Sequence, residues 1–210
     1  MHIIDNYRQL TLGMYSEILA INKEDLPDID RQVRILSVLT GATEEELLDL
    51  PIAEYSNLAR KATFLKRPLE DLQTKVAHKY ICGDFELVPT KDLRSITTAQ
   101  YIDYKTLAEK EDGDIAEKLG CILIPKGKKY NKGYDILEVH EAIRADMSVA
   151  DALTLCAFFL TKYTDLIKAS LISSIRAVRR MPQSKEKEMM QEKLNHLRMY
   201  LETSGDGLRA

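Results

Sequence analysis

Residues 28–51 read DIDRQVRILSVLTGATEEELLDLP, and this stretch decides which kind of fold the chain can adopt. Its apolar residues fall on one helix face: Val33, Ile35, Leu36 and Leu39. Gly41 follows, where a helix C-cap is expected. Thr43 and Glu46 have the spacing of a capping box, and the second helix must stop before Pro51. The stretch therefore predicts two short, capped helices.

Helical spacing continues on both sides of this stretch. Upstream, apolar residues follow a cap at Thr11 and share one face up to Ala20. Downstream, a helix is predicted from Ala53 to about Leu65. The first quarter of the chain is thus expected to be a series of short helices.

The segment from Tyr80 to Pro89 has a different pattern, because apolar residues alternate or run together around Gly83 and Asp84. This pattern predicts a short β-hairpin. Strands of this length are not stable alone in water, so a helix or a partner chain is expected to cover them.

The last third of the chain predicts two long helices. The first runs from Ala150 to about Arg180 and is ended by Pro182, and the second runs from Ser184 to about Thr203. The second helix carries a heptad-like seam of Met190, Leu194, Leu197 and Leu201. A seam of two repeats needs a neighbour, and we expect it to be an interface.

The first helical segment returns later in the chain in degenerate form. Three pairs of segments are similar: 10–17 with 96–103, 30–41 with 114–125, and 49–54 with 146–151. The alternative is a chance likeness of amphipathic stretches. The prediction is a mainly α fold of two related small helical units, with a β-hairpin between them and long C-terminal helices. The predicted domains are 1–78, 79–160 and 161–210.

Composition restricts the functional class. The 210 residues carry 30 basic and 33 acidic side chains, and the net charge of −3 argues against a surface devoted to nucleic acid. No apolar run approaches the roughly 20 residues that span a bilayer, and the N-terminus lacks a signal-peptide pattern. Cys82, Cys121 and Cys156 stand singly, which favours reduced thiols, with Cys156 buried in an apolar run. We expect a soluble intracellular protein without membrane contact.

Charge is segregated along the chain. Residues 1–60 carry 11 acidic and five basic side chains, whereas residues 161–198 carry nine basic and four acidic ones. Opposite ends of this kind steer head-to-tail association of identical copies, but solvated helix faces are the commoner explanation of such a pattern. The cations Arg176, Arg179 and Arg180 either complement a helix C-terminus or meet phosphates or an acidic neighbour.

Residues 126–133 form the clearest basic segment, KGKKYNKG. Its ammonium groups and the ring of Tyr130 suit a phosphate backbone or an acidic protein face, and a solvated turn is the alternative. The candidate contact residues are Lys126, Lys128, Lys129 and Lys132. Contact with DNA through this segment is weakly indicated.

No pattern in the sequence predicts catalysis. His140 and Glu141 lack the second histidine of a zinc-protease motif, because position 144 is arginine, and His140 is expected on a helix surface. Asp112 to Asp114 is interpreted as a helix start, since no calcium-loop ladder follows. The predictions are therefore no catalytic residues, no metal site and no cofactor.

The segments 10–18, 35–41 and 44–51 together resemble the helical tail assembly chaperones of tailed phages, and they are similar to small proteins of the crAss-like phages. The resemblance covers residues 8–67 and, through the repeat, more faintly 93–160. The chain differs from a plain chaperone in its repeat, its lysine-rich loop and its long C-terminal helices.

The resemblance implies a non-enzymatic morphogenesis protein. The first expectation is a structural component of the virion, a ring or adaptor near the portal and the head–tail connection. It would be made in the host cytoplasm and would contact copies of itself and portal, tail or ring proteins. The alternatives are a cytoplasmic tail assembly chaperone and, less favoured, a DNA-binding factor or an enzyme.

Overall fold

The helices and strands follow one another in an order close to the predicted one. The computed structural model describes residues 1–69, 75–90, 96–108, 110 and 114–206, without the side chains of 108, 160, 163–170, 179, 186, 197, 198 and 200–206. The elements are α1 (Leu12–Lys23), α2 (Asp28–Thr40), α3 (Glu44–Leu48), α4 (Ile52–Lys61) with a 3-10 turn (Ala62–Lys66), β1 (Tyr80–Cys82), β2 (Phe85–Pro89), α5 (Thr98–Ala108), α6 (Ile115–Gly120), β3 (Leu123–Pro125), α7 (Ile136–Asp146), α8 (Val149–Arg180) and α9 (Lys185–Asp206). The fold is mainly α-helical, as predicted.

Local signals set the helix ends of the first segment. The Thr11 hydroxyl accepts a hydrogen bond from the Met14 amide at the start of α1 (3.4 Å). Gly41 has a φ of 70° after α2, a left-handed conformation that glycine adopts without steric cost. Thr43 and Glu46 form the complete capping box of α3, with hydrogen bonds of 3.2 and 2.8 Å. These predictions are confirmed.

The N-terminal peptide enters the core and joins two distant parts of the chain. The Leu12 amide donates to the Met147 carbonyl (3.0 Å), and the Val149 amide donates to the Leu10 carbonyl (2.9 Å). All four of these residues are buried. The start of α1 is thereby fixed against the junction of α7 and α8, a pairing that the sequence patterns do not predict.

The sheet has the strand order β1-β2-β3, and both pairs are antiparallel. The hairpin of β1 and β2 around Gly83 and Asp84 confirms the prediction. The sequence patterns do not predict the third strand. The similarity of 114–125 to 30–41 predicted a helix that continues through Leu123. Instead α6 ends at Gly120, and Leu123 pairs with Pro89 in the sheet. The second pair of similar segments therefore does not share secondary structure.

The chain divides into two compact units, residues 1–158 and 159–210. The first unit holds α1 to α7, the sheet and the beginning of α8, so the predicted boundary at residue 78 falls inside it. The second unit holds the rest of α8 and α9. Among the described helices, none has the length and apolar content to cross a bilayer.

In the first unit, α6 and α7 approach closely at Gly120. A Cβ atom at this position would lie 2.2 Å from Cδ2 of His140, which is too short for any packed pair. His140 is 9% exposed and lies in the core. Its expected place on the helix surface is wrong, because α7 turns this side of its surface toward α6.

We predict that Gly120→Ala lowers the free energy of unfolding by roughly 1–3 kcal/mol, because the added methyl group overpacks the contact with His140. Urea denaturation measures the change. The matched control introduces Gly120→Ala into a His140→Ala background, where the methyl group has space and its cost becomes much smaller. An equal loss of unfolding free energy in both backgrounds would show that the contact with His140 is not the cause.

Candidate docking surfaces

The second unit carries an open groove between the end of α8 and the start of α9. Pro182 follows α8, and the Ser184 hydroxyl accepts a hydrogen bond from the Lys187 amide (3.2 Å) at the start of α9. The stop at Pro182 and the helix start at Ser184 agree with the prediction. The groove has a volume of about 500 Å³ and is mostly apolar; we name it the α8–α9 groove, lined by Ser174, Ala177, Val178, Met181, Met190, Lys193 and Leu194.

Two residues of the predicted seam, Met190 and Leu194, lie in this groove. Met190 is 37% exposed, whereas Val178 on the opposite wall is 6% exposed. Arg176 and Arg180 are exposed on α8, next in sequence to groove residues. The side chains of Leu197, Leu201 and Arg179 lie outside the described residues. The contribution of α8 was missed, since the seam was identified on α9 alone.

The lysine-rich loop of the first unit is shaped by its backbone. Gly127, Asn131 and Gly133 have positive φ angles of 76°, 51° and 79°, and Lys129 and Lys132 form an isolated β-bridge. All four candidate lysines are exposed. The Lys126 ammonium group also pairs with the Glu86 carboxylate (2.7 Å), and this pairing lowers the pKa of Glu86. The four lysines are thus turned to solvent around a defined turn.

Tyr130 lies beneath this loop and not on its surface. Its ring is 7% exposed, and its hydroxyl donates a hydrogen bond to Oδ2 of Asp103 (2.8 Å). Burial, followed by the hydrogen bond to Asp103, raises the pKa of Tyr130. The expectation of a stacking ring for nucleic acid is therefore wrong: the ring anchors the loop to α5.

A second open groove, which the sequence patterns did not indicate, lies on the first helices of the chain. It has a volume of about 510 Å³ and is lined from α1, α2, α4 and the 3-10 turn. Leu19, at its edge, is 42% exposed. Arg31 reaches the Leu26 carbonyl (2.8 Å) and the Asp28 carboxylate (3.0 Å), so its charge is partly compensated at the groove wall.

Two of the three cysteines of the first unit are packed in its interior. Cys82 and Cys121 are buried, and burial raises the pKa of each thiol to about 11. Both thiols are therefore protonated near neutral pH and are poor nucleophiles. Cys156 is exposed, contrary to the expectation of a buried thiol, because this side of α8 faces away from the core.

His140 has an unusual environment for a histidine. Its Nε2 atom is buried and has no hydrogen-bond partner among the described residues. Burial lowers its pKa, although Glu117 and Asp114 act in the opposite direction. In the part of the chain that the structure describes, no group of three histidine, cysteine, aspartate or glutamate residues could hold a metal ion.

Arg144 connects three elements beside this histidine. Its guanidinium pairs with the carboxylates of Asp114 and Glu141, and a Cβ at Gly13 would lie 3.1 Å from its carbonyl oxygen. Asp114 also caps α6 by accepting a hydrogen bond from the Ala116 amide (2.8 Å), as its interpretation as a helix start predicted. The acidic residues here serve helix ends and ion pairs.

Comparison of the chain with protein-family models, with curated proteins and with solved structures finds no match. The fold class therefore rests on the helices and strands of the chain itself. It consists of a mainly α unit that carries a small antiparallel sheet, and of a second unit formed by two helices with an open apolar groove.

Tyr130→Phe is predicted to lower the free energy of unfolding by about 1 kcal/mol, because the hydrogen bond to the Asp103 carboxylate is lost. Thermal and urea unfolding measure this loss. Tyr134→Phe is the control within the same loop, since among the described residues the Tyr134 hydroxyl accepts a hydrogen bond only from the exposed Asn131 amide (3.1 Å). A larger effect at Tyr134 would contradict the anchoring role of Tyr130.

We also predict that acid destabilises the first unit through His140. The folded state lowers the pKa of His140 below the value of about 6.5 in the unfolded chain, so the unfolded state binds more protons. The contribution of His140 to the free energy of unfolding is fully present above pH 6.5. It is lost as the pH falls, by at most about 1.4 kcal/mol per pH unit. Urea unfolding between pH 8 and pH 5.5 measures the slope.

His140→Leu removes the titrating group and should flatten this slope, whereas the matched replacement of the exposed His78→Leu should leave the slope as it is. An unchanged slope in His140→Leu would show that another group is responsible.

Proposed function

We propose that this protein is a non-enzymatic morphogenesis protein of a tailed phage, a structural component of the virion near the portal and the head–tail connection. It works as a ring or adaptor that contacts copies of itself and neighbouring portal, tail or ring proteins. It is made in the host cytoplasm and remains in the particle.

The α8–α9 groove is the observation that carries this proposal. An open apolar groove flanked by charged residues is typical of a surface that binds another macromolecule. Met190 and Leu194 supply apolar contacts, and the exposed Arg176 and Arg180 supply charge for selecting a partner. The resemblance of residues 8–67 to phage tail assembly chaperones supports the biological setting.

Further support comes from the chemistry of the first unit. The thiols of Cys82 and Cys121 are kept protonated by burial, and the Tyr130 hydroxyl is held by Asp103. These groups contribute to stability in the positions that they occupy. The protein is therefore proposed to act by binding and not by making or breaking covalent bonds.

A cytoplasmic tail assembly chaperone is the second candidate. The specific observation in its favour is the groove on α1, α2 and α4, which lies within the segment that resembles such chaperones. A chaperone would cover a tail component with this groove and leave before the particle matures.

Mass spectrometry of purified particles and of the infected-cell lysate tests the proposal. We expect the protein in mature particles at a fixed ratio to the portal protein. Presence in the lysate together with absence from the particles would overturn the structural role in favour of the chaperone. Turnover of a small substrate by the purified protein would overturn the non-enzymatic assignment.

The lysine-rich loop gives a separate prediction. If it contacts DNA in the particle, replacing Lys128, Lys129 and Lys132 by glutamine reduces the affinity of the purified protein for duplex DNA at least tenfold in 50 mM salt, since each phosphate contact releases counterions. Fluorescence anisotropy measures the affinity. Lys126→Gln is the internal control, because Lys126 is paired with Glu86. Equal affinity of all variants would exclude the loop as a DNA contact.

A further inference from the structure

We infer that the α8–α9 groove receives the acidic helices of the first unit of a second copy, so that copies of this chain associate head to tail. This inference deepens the proposed function by naming the partner and both surfaces. It is tested on the purified protein and does not require a virus particle.

The groove combines an apolar lining with basic residues near it. Its lining includes Ala177, Val178 and Leu194 together with Lys193. Arg180 and Lys185 are exposed at the facing ends of α8 and α9. The second unit as a whole carries ten basic and six acidic residues, a net charge of +4. Its occupant should therefore be apolar and acidic at once.

Such a surface exists on the first unit of the same chain. Leu48 and Ile52 belong to the most exposed large apolar residues among those the structure describes, at 66% and 78% exposure. They lie at the end of α3 and at the start of α4, and α2 contacts both helices. An apolar side chain exposed to this degree contributes little to the stability of its own unit.

Acidic residues flank these two side chains in the sequence. Glu45, Asp49 and Glu54 are exposed, and within the described ranges none of the three has an ion-pair partner within 4 Å. We name this surface the acidic face, comprising Leu48 and Ile52 with Glu45, Asp49 and Glu54. The first unit carries 27 acidic and 20 basic residues, a net charge of −7.

Position along the chain groups the acidic face. Leu48 and Ile52 flank the short break at Pro51, and Asp49 lies between them. Glu45 and Glu54 each lie within three residues of one of these two apolar residues. The acidic face therefore lies at the junction of α3 and α4.

A second copy fits the groove better than duplex DNA does. DNA offers phosphates but no apolar surface to cover Val178 and Leu194, and the net charge of −7 on the first unit repels it. The acidic face offers both the charge and the apolar side chains. Long-range attraction between the units of two copies also steers their encounter in this orientation.

The contact joins two different surfaces, so each copy retains one unused groove and one unused face. Such a heterologous contact closes into a ring when the rotation between neighbours permits, and it otherwise extends into a filament. This geometry permits a test that a two-fold symmetric dimer cannot pass.

The experiment uses full-length variants and sedimentation velocity at micromolar concentration in 50 mM salt. Groove variant Met190→Asp and face variant Leu48→Asp with Ile52→Asp should each be monomeric, while the unmodified chain forms oligomers. A 1:1 mixture of the two variants should form a heterodimer, since one intact groove meets one intact face. Leu137→Asp, at an equally exposed apolar position on α7, is the matched control and should assemble normally.

Charge variants avoid any loss of packing. Arg180→Glu with Lys193→Glu should weaken association at least tenfold, and Glu45→Lys with Asp49→Lys should do the same. Mixing these two charge variants should restore binding between the reversed groove and the reversed face. Raising the salt to 500 mM should weaken assembly of the unmodified chain, because screening acts over about 4–5 Å at that concentration. Far-UV circular dichroism verifies that all variants remain helical.

A monomeric unmodified chain, oligomers that persist in both variant classes, or failure of the mixed variants to pair would each overturn the inference. Binding of duplex DNA that Met190→Asp abolishes would also overturn it by assigning the groove to another partner. If the mixture pairs but particles lack the protein, the contact stands and the proposed place in the virion fails. If particles contain the protein but the mixture stays monomeric, the proposed place in the virion stands and the head-to-tail contact fails.

Discussion

The first unit depends on two backbone hydrogen bonds that join its beginning to its end. The amide of Leu12 donates to Met147 (3.0 Å), and the amide of Val149 donates to the carbonyl of Leu10 (2.9 Å), in a fully buried environment. Buried backbone groups must be paired, so this short bridge fixes the starts of both α1 and α8. The packing of α1 against α2 and α7 follows from it.

Beyond these two hydrogen bonds, polar side chains fix the positions of α6, α7 and the lysine-rich loop. Arg144 pairs with Asp114 and so holds α7 to the cap of α6, while Tyr130 holds the lysine-rich loop to Asp103 on α5. The Nε2 atom of His140 has no hydrogen-bond partner among the described residues, and its ring packs against Gly120 of α6. These side chains contribute to the packing and stability of the first unit. This agrees with the proposal that the protein acts through its surfaces.

The two units have opposite charge and complementary chemistry. The α8–α9 groove is apolar with cations at its edge, and the acidic face presents the exposed Leu48 and Ile52 beside carboxylates. A protein that only needed solubility would gain nothing from exposing this leucine and this isoleucine. The proposed directional association between copies would explain both surfaces together, and it is compatible with a ring or adaptor as well as with transient self-association of a chaperone.

The sequence by itself determined the features that depend on neighbours along the chain: the caps at Thr11, Gly41 and Thr43, the hairpin at Gly83, and the two long helices. Such features follow from contacts within a few residues. Tertiary structure alone decided the burial of His140 and Tyr130, the exposure of Cys156, the third strand and the α8 wall of the groove. These depend on which distant segments meet, and a periodic pattern shows that a face is apolar without showing what covers it.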